Sequence, residues 1–354
     1  MSWGVGGASR RARWWRPAAA GLAFAVLIAT AACTEDEPAE EPAPAAGSIA
    51  TLPDSAELVA AVAAASDDPV LTDDLRQMIT AVALVGSLTG PQERCVAFYL
   101  ADRPDESCVL GNPAAEPEIL LWGDGHAAQW VPALSQVAAE TGYRLRVVTK
   151  HGCPPLLGLT PWLEAESRAY SECARFNNAA LAQVREAEPA LVIVGGALRG
   201  SAFMVDGVRT DLGDPAPRNG WQPRAARDPI WQQGLRTTLE ELQALPASTR
   251  VVVLGDTPYP RLDASQCLPA HPDDPTRCAA AREVAVHAEH NAAEQQTAEE
   301  YDATYLDPLP WLCADQDCPA VIDGQFVYRD SFSLGRGYVM RLSRALAEEL
   351  ELVE

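Results

Sequence analysis

The stretch "EILLWGDGHAAQWVPAL", residues 118–134, decides the fold class. An apolar run at 119–122 breaks into Gly123-Asp124-Gly125-His126, and a segment with helical apolar periodicity follows. A short buried strand, a tight turn and a helix in this order begin an α/β unit. Such a turn is a common position for a nucleophile in α/β enzymes, yet this one contains no Ser, Cys or Thr.

The strand pattern recurs along the chain. Four more segments share it: "RLRVVTK" (144–150), "ALVIVGG" (190–196), "RVVVLGD" (250–256) and "ATYLD" (303–307). Helical patterns fall between and after them, at 127–140, 170–188, 229–245, 280–300 and 336–350. Continuous apolar strands that alternate with helices predict a three-layer α/β/α domain with a mostly parallel sheet.

In sheets of this kind, ligands bind beyond the carboxyl ends of the strands. The turns after the first, third and fourth strands lie at 123–126, 195–199 and 256–260. We expect these three turns to line one crevice. Residues 197–227 are rich in Gly, Pro and Arg and are predicted to be loop.

The N-terminal 33 residues have the pattern of an export signal. Four arginines precede an apolar, small-residue-rich stretch at 17–32, which ends in Thr30-Ala31-Ala32-Cys33. The stretch is short for a membrane-spanning helix, which needs about 20 apolar residues. Cys33 is placed as in a bacterial lipobox, so we predict a lipid anchor there; ordinary cleavage, retention as an anchor and a twin-arginine signal are the alternatives.

Three further segments follow the signal. Residues 34–50 are predicted to be an acidic, Pro-rich tether, because this composition cannot bury a core. Residues 51–90 are predicted to be a helical lead-in, and residues 91–354 to be one α/β domain. The protein is therefore expected to be exported and held on the extracytoplasmic side of the cell membrane.

The charge of the chain excludes some partners. The formal net charge is −22, and without the four signal arginines 23 basic side chains face 49 acidic ones. Lys150 is the only lysine. Nucleic acid and anionic lipid headgroups are therefore poor partners.

Cysteine usage predicts disulfides. Apart from Cys33 the chain has eight cysteines, an even number in an exported protein. Zinc is the rival interpretation, but no C-x-x-C pair is present. Pairing of sequence neighbours gives the simplest of the 105 connectivities: Cys95–Cys108, Cys153–Cys173, Cys267–Cys278 and Cys313–Cys318. No metal site and no cofactor are predicted.

Five motifs in order resemble one known family. They are "LLWGDGHAAQW", "GCPPL", "DTPYP", "WLCADQDCP" and "FVYRDSFSLG". Together they resemble the SGNH hydrolase-like domain of bacterial acyltransferase-3 type O-acyltransferases, from about residue 90 to the C-terminus. The resemblance implies a flavodoxin-like α/β fold with disulfide-closed loops, and ester chemistry. In that family the domain usually follows a membrane acyltransferase-3 domain. The present sequence shows no such domain, so we expect a free-standing version.

Two residues of the family's catalytic relay are replaced. The nucleophilic Ser of the G-D-S-H motif corresponds to Gly125, and the His of Y-R-D-x-x-H-L-S corresponds to Ser333; Asp330 matches. A glycine cannot form an acyl bond, and a serine cannot act as a base near neutral pH. The resemblance therefore implies a remnant site at Asp124, Gly125, His126, Asp330 and Ser333.

Substitute chemistry is the alternative. His126, with Asp124 beside it, is the best remaining general base, although a hydrogen-bonded, partly buried structural histidine is the favoured interpretation. Asp124 is also a natural helix cap. The predicted oxyanion or ligand-lining residues are Gly125, Gly195, Gly196 and Asp256. Polar residues on two helices are predicted to be solvated surface: Asn177, Asn178, His287, His290 and Glu294.

Three functions follow. The first is a catalytically impaired envelope lipoprotein that binds an acylated glycan, a peptidoglycan component or a membrane acyltransferase. Aromatic side chains near the loops are candidates for stacking on sugars: Trp122, Trp130, Trp221, Tyr259 and Trp311. The second is an active esterase or O-acyltransferase on surface polysaccharide, with substitute residues. The third is a structural interaction module.

Overall fold

The structure is a computed structural model, and it describes residues 48–69, 72–81, 90–198, 202–205, 207–211, 229–260 and 262–353. The predicted export signal, Cys33 and the tether up to residue 47 lie outside the described residues, as does Trp221. No helix in the described ranges is long and apolar enough to cross a membrane.

Most secondary-structure elements follow the alternation expected from the sequence. The strands are β1 Val96–Ala97, β2 Val109–Gly111, β3 Glu118–Gly123, β4 Arg144–Lys150, β5 Thr160–Leu163, β6 Arg168–Ala169, β7 Leu191–Gly195, β8 Ala202–Val205, β9 Val208–Asp211, β10 Arg250–Leu254, β11 Ala280–Ala281, β12 Thr304–Leu306, β13 Asp317–Cys318, β14 Val321–Ile322 and β15 Gln325–Phe326. The helices are α1 Ser55–Asp67, α2 Asp73–Ala81, α3 Gly125–Ala128, α4 Val131–Thr141, α5 Ser171–Ala187, α6 Pro229–Leu242, α7 Ala264–Ala270, α8 Arg282–Ala285, α9 Ala288–Glu300, α10 Arg336–Arg341 and α11 Ser343–Glu349.

The five long predicted strands form the centre of one sheet. Their order is β4-β3-β7-β10-β12, and every pair among them is parallel. At the outer edge of β4, β1 pairs in parallel near its carboxyl end and β2 pairs antiparallel near its start. This is the flavodoxin-like order 2-1-3-4-5, in which the chain reverses its direction of winding between β3 and β7.

Helices cover both faces of the sheet, as the apolar strand pattern predicts. Alternate residues of β3 belong to two separate cores, Ile119 and Leu121 to one, Leu120 and Trp122 to the other. The first core contains apolar residues of α1, α4, α10 and α11. The second contains those of α5, α6 and α9. The three-layer α/β/α prediction is therefore confirmed.

Gly123 allows β3 and β7 to end side by side. It pairs in register with Gly195, and a Cβ at Gly123 would lie 2.1 Å from the Gly195 carbonyl oxygen. Only glycine fits so close an approach. The turns that follow these two strands are thereby brought together.

Two regions differ from the sequence-based expectations. Part of the predicted loop at 197–227 forms the hairpin β8–β9, which extends β5 and β6 into a four-stranded antiparallel sheet. The Gly, Pro and Arg residues of the segment favoured loop, although β8 itself is the apolar run Ala-Phe-Met-Val. The helix predicted at 280–300 is divided into α8 and α9 by an extended residue, Val286.

Three of the four predicted disulfides are formed: Cys153–Cys173, Cys267–Cys278 and Cys313–Cys318. Each closes a loop, as expected. The fourth pair differs, because Cys95 and Cys108 are free thiols in the structure. Both are buried and they lie close enough to hydrogen-bond with each other; burial, first, and then this contact raise the pKa of Cys95.

Candidate functional site

The candidate site lies where the winding direction changes, at the carboxyl ends of β3, β7 and β10. It combines the turn after β3, the backbone after β7 and Asp256 after β10. The loop 328–334, from the C-terminal part of the chain, packs against it. The three turns meet here, as predicted: Asp124 accepts a hydrogen bond from the Ala197 N–H, and Asp256 accepts one from the Leu198 N–H.

Asp124 joins two of these turns. Its Oδ1 accepts a hydrogen bond from the His126 N–H at 2.9 Å, which caps α3, and its Oδ2 accepts one from the Ala197 N–H at 2.9 Å. The side chain is buried, and burial raises the pKa of Asp124, although the charge of His126 and these two N–H groups oppose the shift. Asp124 is thus a structural cap that fixes the turn.

Gly125 leaves open space in the turn after β3, at the position where the sequence resemblance predicts a missing nucleophile. A Cβ placed on Gly125 would meet no heavy atom of the described residues within 4 Å. Gly125 is also the first residue of α3 and is partly exposed. The turn therefore has room for a side chain at this position.

His126 is held at both ring nitrogens. Nδ1 lies 2.8 Å from Asp256 Oδ1, and Nε2 lies 2.6 Å from the carbonyl oxygen of Phe332. A carbonyl and an ionised carboxylate only accept hydrogen bonds, so both nitrogens carry protons. The histidine is therefore an imidazolium, and in this arrangement it has no lone pair with which to act as a base.

The electrostatics agree with that protonation state. Burial alone would lower the pKa of His126, but the hydrogen bond and charge of Asp256, with the charge of Asp124 and the Phe332 carbonyl, raise it. Burial would likewise raise the pKa of Asp256, but the hydrogen bond and charge of His126 and the hydroxyl of Tyr259 lower it. The two groups form a buried ion pair.

Asp256 is the centre of this network. Besides His126 it accepts hydrogen bonds from the Thr257 N–H (2.9 Å), the Leu198 N–H (3.1 Å) and the Tyr259 hydroxyl (2.6 Å). The sequence indicated Asp256 only as a lining residue. Its pairing with His126 crosses 130 residues, and its position after a parallel strand was the sole available signal.

The loop 328–334 carries the other two members of the expected remnant site. Asp330 Oδ1 accepts from the N–H groups of Phe332 (2.8 Å) and Ser333 (2.7 Å), and Oδ2 pairs with Arg329. Burial would raise the pKa of Asp330, but these donors lower it. The Ser333 hydroxyl accepts from Arg329 at 3.2 Å. Asp330 therefore shapes its own loop.

The same loop is fastened over the turn after β3. The Phe332 carbonyl binds His126, and the Leu334 N–H donates to Gln129 Oε1 at 2.9 Å. The Phe332 ring lies 4.2 Å from the His126 ring, which Tyr259 stacks on at 5.0 Å. All five residues predicted for the remnant site are therefore brought into one neighbourhood.

Gly195 and Gly196 lie beneath this network, not at its surface. With His126 and Asp256 they line a cavity of about 10 Å³. A cavity of that size accommodates about one water molecule and no sugar ring.

Several surface assignments made from the sequence are wrong. Asn177 is buried, accepts from the Trp122 indole N–H at 3.1 Å and donates to the Pro154 carbonyl at 2.9 Å. His290 and Glu294 are also buried, and Glu294 accepts from the Trp231 indole at 2.9 Å. Within the described residues no group of three His, Cys, Asp or Glu side chains is placed to hold a metal ion.

The predicted sugar-stacking aromatics are buried wherever the structure describes them. Trp122, Trp130, Trp311 and Tyr259 are each at most 4% exposed, so they serve packing. They cannot present a ring face to a sugar without unfolding their surroundings. Any aromatic surface for a ligand lies elsewhere.

The fold and the site define an SGNH-type α/β domain. The sequence profile described as "SGNH domain (fused to AT3 domains)" matches residues 94–332, about two thirds of the chain. The chain therefore belongs to this family, which confirms the resemblance of its five motifs. No match was found among curated proteins.

A solved structure shares the fold along most of the chain. The periplasmic domain of a lipopolysaccharide acetyltransferase from Salmonella ser. Paratyphi A superposes with a TM-score of 0.54 at 14% identity, covering 79% of this chain and 98% of that one. A carbohydrate acetylesterase from Sinorhizobium meliloti gives a TM-score of 0.39 at 11% identity, covering 66% and 98%. An acetylxylan esterase from Geobacillus stearothermophilus gives 0.38 at 15% identity, covering 68% and 97%. At 14% identity the first similarity shows the fold alone.

Proposed function

We propose that this chain is a catalytically impaired SGNH-domain protein of the cell envelope that binds an acylated glycan. Gly125 carries the proposal: the position of the family's nucleophile has space but no side-chain atom that can form an acyl bond. Ser333, at the position of the family's base, has a hydroxyl that is hydrogen-bonded to Arg329. Neither half of the relay is present.

The magnitude of that loss favours binding over turnover. Removal of the nucleophile or the base from a serine triad costs about 10⁶ in kcat, and the oxyanion hole and binding retain roughly 10³ over water. Both groups are replaced here. The imidazole that remains, His126, is protonated at both nitrogens in the observed arrangement.

The choice of an acylated glycan as ligand rests on relatives. A lipopolysaccharide acetyltransferase domain shares the fold across nearly its whole length, and its name states what it acts on. The proposal is that this domain binds such a glycan without turning it over. We extend the proposal to a lipid anchor at Cys33, which would place the domain next to envelope glycans.

The test is a gain of function with a matched control. The purified exported protein is assayed for p-nitrophenyl acetate hydrolysis beside Gly125→Ser/Ser333→His and Gly125→Ala/Ser333→His. The alanine variant adds the same Cβ and the same imidazole but no hydroxyl. We expect turnover from the serine variant only. Turnover by the unmodified protein at a rate comparable to the serine variant would refute catalytic impairment.

One observation favours a second candidate, a hydrolase that activates water directly. Asp256 supports His126 at 2.8 Å as an orienting carboxylate supports a catalytic histidine. Release of the Phe332 carbonyl, with loss of the Nε2 proton to solvent, would leave on Nε2 a lone pair that can accept a proton from water. Activity of the unmodified protein that is abolished by His126→Gln and by Asp256→Asn, and kept by His271→Gln, would establish this candidate. Absence of both activity and glycan binding would instead favour a structural interaction module.

A further inference from the structure

The most exposed apolar segment in the described residues follows β1. Phe98 is 76% exposed, Tyr99 42% and Leu100 73%. Large apolar side chains are rarely exposed in an unbroken run unless the surface binds something. We call residues 98–100 the edge loop.

The edge loop is held rigidly by the only lysine of the chain. The buried Lys150 ammonium donates to three carbonyl oxygens, those of Phe98 (2.7 Å), Tyr99 (2.9 Å) and Ala101 (2.7 Å). It also lies 4.9 Å from the Tyr170 ring centroid. A buried charge is costly unless its donors are satisfied, and here the loop backbone satisfies them. The loop conformation is thus fixed while its side chains face solvent.

The exposed rings belong to a larger aromatic surface. The His151 ring lies 5.7 Å from the Phe98 ring and 5.9 Å from the Tyr99 ring, and Tyr99 also contacts Tyr170 at 5.9 Å. Tilted contacts at these distances are favourable aromatic geometries. The rings therefore support one another. We call the exposed side chains of the edge loop, with the His151 ring behind them, the platform.

The platform and Gly125 both lie at the carboxyl ends of the parallel strands. β1 and β3 both run parallel to β4 and flank it, and Ala97 and Gly123 pair with its neighbouring residues Lys150 and Thr149. Two strand spacings separate them, about 10 Å. A ligand that reaches from Gly125 to the platform must be an extended chain.

We propose that the edge loop is a sugar-stacking subsite, which binds a distal part of the glycan whose acylated residue lies at Gly125. The inference rests on the proposed function and adds an oligosaccharide requirement to it. Aromatic faces and apolar side chains pack against the C–H faces of sugar rings, and rigid presentation lowers the entropic cost of binding. The exposed platform can stack on a sugar ring, which the buried tryptophans Trp122, Trp130 and Trp311 cannot do.

Charge and area favour a glycan over other occupants. Residues 98–106 carry three carboxylates against one guanidinium, whereas segments that bind anionic membranes are basic. At their observed exposure the three side chains offer roughly 350 Å² of surface, less than the ~800 Å² per partner of a stable protein interface. A neutral sugar chain needs neither basic charge nor a large area.

The test compares glycan length with two sets of variants. The purified exported protein is titrated with disaccharide and octasaccharide fragments of O-acetylated peptidoglycan and of an O-acetylated lipopolysaccharide O-chain. Phe98→Ala/Leu100→Ala removes the platform, and Leu262→Ala, at a side chain 52% exposed, is the control. Gly125→Leu fills the open space at the remnant site. All four changes are at exposed or open positions, and circular dichroism verifies folding.

We expect the unmodified protein to bind octasaccharides about tenfold more tightly than disaccharides, and the platform variant to lose that advantage alone. Equal affinity for both lengths would overturn the subsite and leave the proposed function standing. So would an unchanged affinity of the platform variant, if Gly125→Leu abolishes binding. Loss in the platform variant with no effect of Gly125→Leu would overturn the placement of the ligand at Gly125. No binding of any fragment would overturn both proposals. The same variants are also tested for binding to phosphatidylglycerol vesicles; if the unmodified protein binds them and the platform variant does not, the edge loop is a membrane contact and the sugar subsite is overturned.

Discussion

The buried pair His126–Asp256 can be tested by a double-mutant cycle. The variants are Asp256→Asn, His126→Gln and their combination, each unfolded with guanidinium chloride under non-reducing conditions. His271→Gln, outside the network, is the control. The cycle isolates the energy of the interaction from the cost of each substitution.

The expected magnitude follows from the contacts. Asp256 accepts four hydrogen bonds while fully buried, and breaking a buried ion pair costs about 3–5 kcal/mol. Asparagine keeps one acceptor oxygen, and its amide can donate to a neutral His126. We therefore expect Asp256→Asn to cost about 3 kcal/mol and the coupling energy with His126 to be about 2 kcal/mol.

The coupling must also depend on pH in one direction. The folded-state pKa of His126 is raised, so its stabilising contribution is complete below the unfolded value of about 6.5 and is lost as pH rises through the folded value. The folded-state pKa of Asp256 is lowered, so its contribution is present above about 3.9 and is lost as pH falls through the folded value. We expect the greatest coupling between these limits. Coupling below about 0.5 kcal/mol, or coupling unchanged into the alkaline range, would refute the ion pair.

Three further predictions concern groups outside that pair. Asn177→Ala should lower the free energy of unfolding by about 2–4 kcal/mol, because it leaves the buried Trp122 indole N–H without an acceptor; denaturant titration measures this. Lys150→Met should speed amide hydrogen exchange in residues 98–101 more than in the central strands, because three carbonyls lose their common donor; equal exchange throughout would contradict the anchoring role. Cys33→Ser should move the protein from the membrane fraction to the soluble fraction if the predicted lipid anchor is present, as fractionation and immunoblotting will show.

The fold was predictable because its strands are buried on both faces. Runs such as residues 191–195 and 251–255 contain only apolar residues and glycine, and this pattern is typical of parallel strands covered by helices on both sides. In the hairpin β8–β9 only the four residues of β8 form such a run, and the hairpin depends on pairing with β5, which lies far away in the sequence. Local composition alone could not predict those strands.

The burial of Asn177 was also predictable in principle. Cys173, Phe176, Ala180 and Val184 define the buried stripe of α5, and Asn177 lies within that stripe at helical spacing. Its polar side chain favours a surface position, whereas its spacing favours the core, and the spacing was the better guide. Its hydrogen bonds to Trp122 and Pro154 depend on tertiary contacts, so the partners themselves could not be inferred.

The contacts within the site at Gly125 and His126 support the proposal that it does not perform acyl transfer. An acyl-enzyme site needs a nucleophile and an imidazole nitrogen left free to accept its proton. Here Nε2 of His126 donates to the Phe332 carbonyl, Asp330 is occupied by backbone donors and Arg329, and the Ser333 hydroxyl accepts from Arg329. Each of these polar groups has a structural partner, and Gly125, which has open space around its Cα, has no side chain that could react there. A network whose donors and acceptors are satisfied fixes the shape of the surface above it, which is what the proposed binding of a glycan at Gly125 and at the edge loop requires.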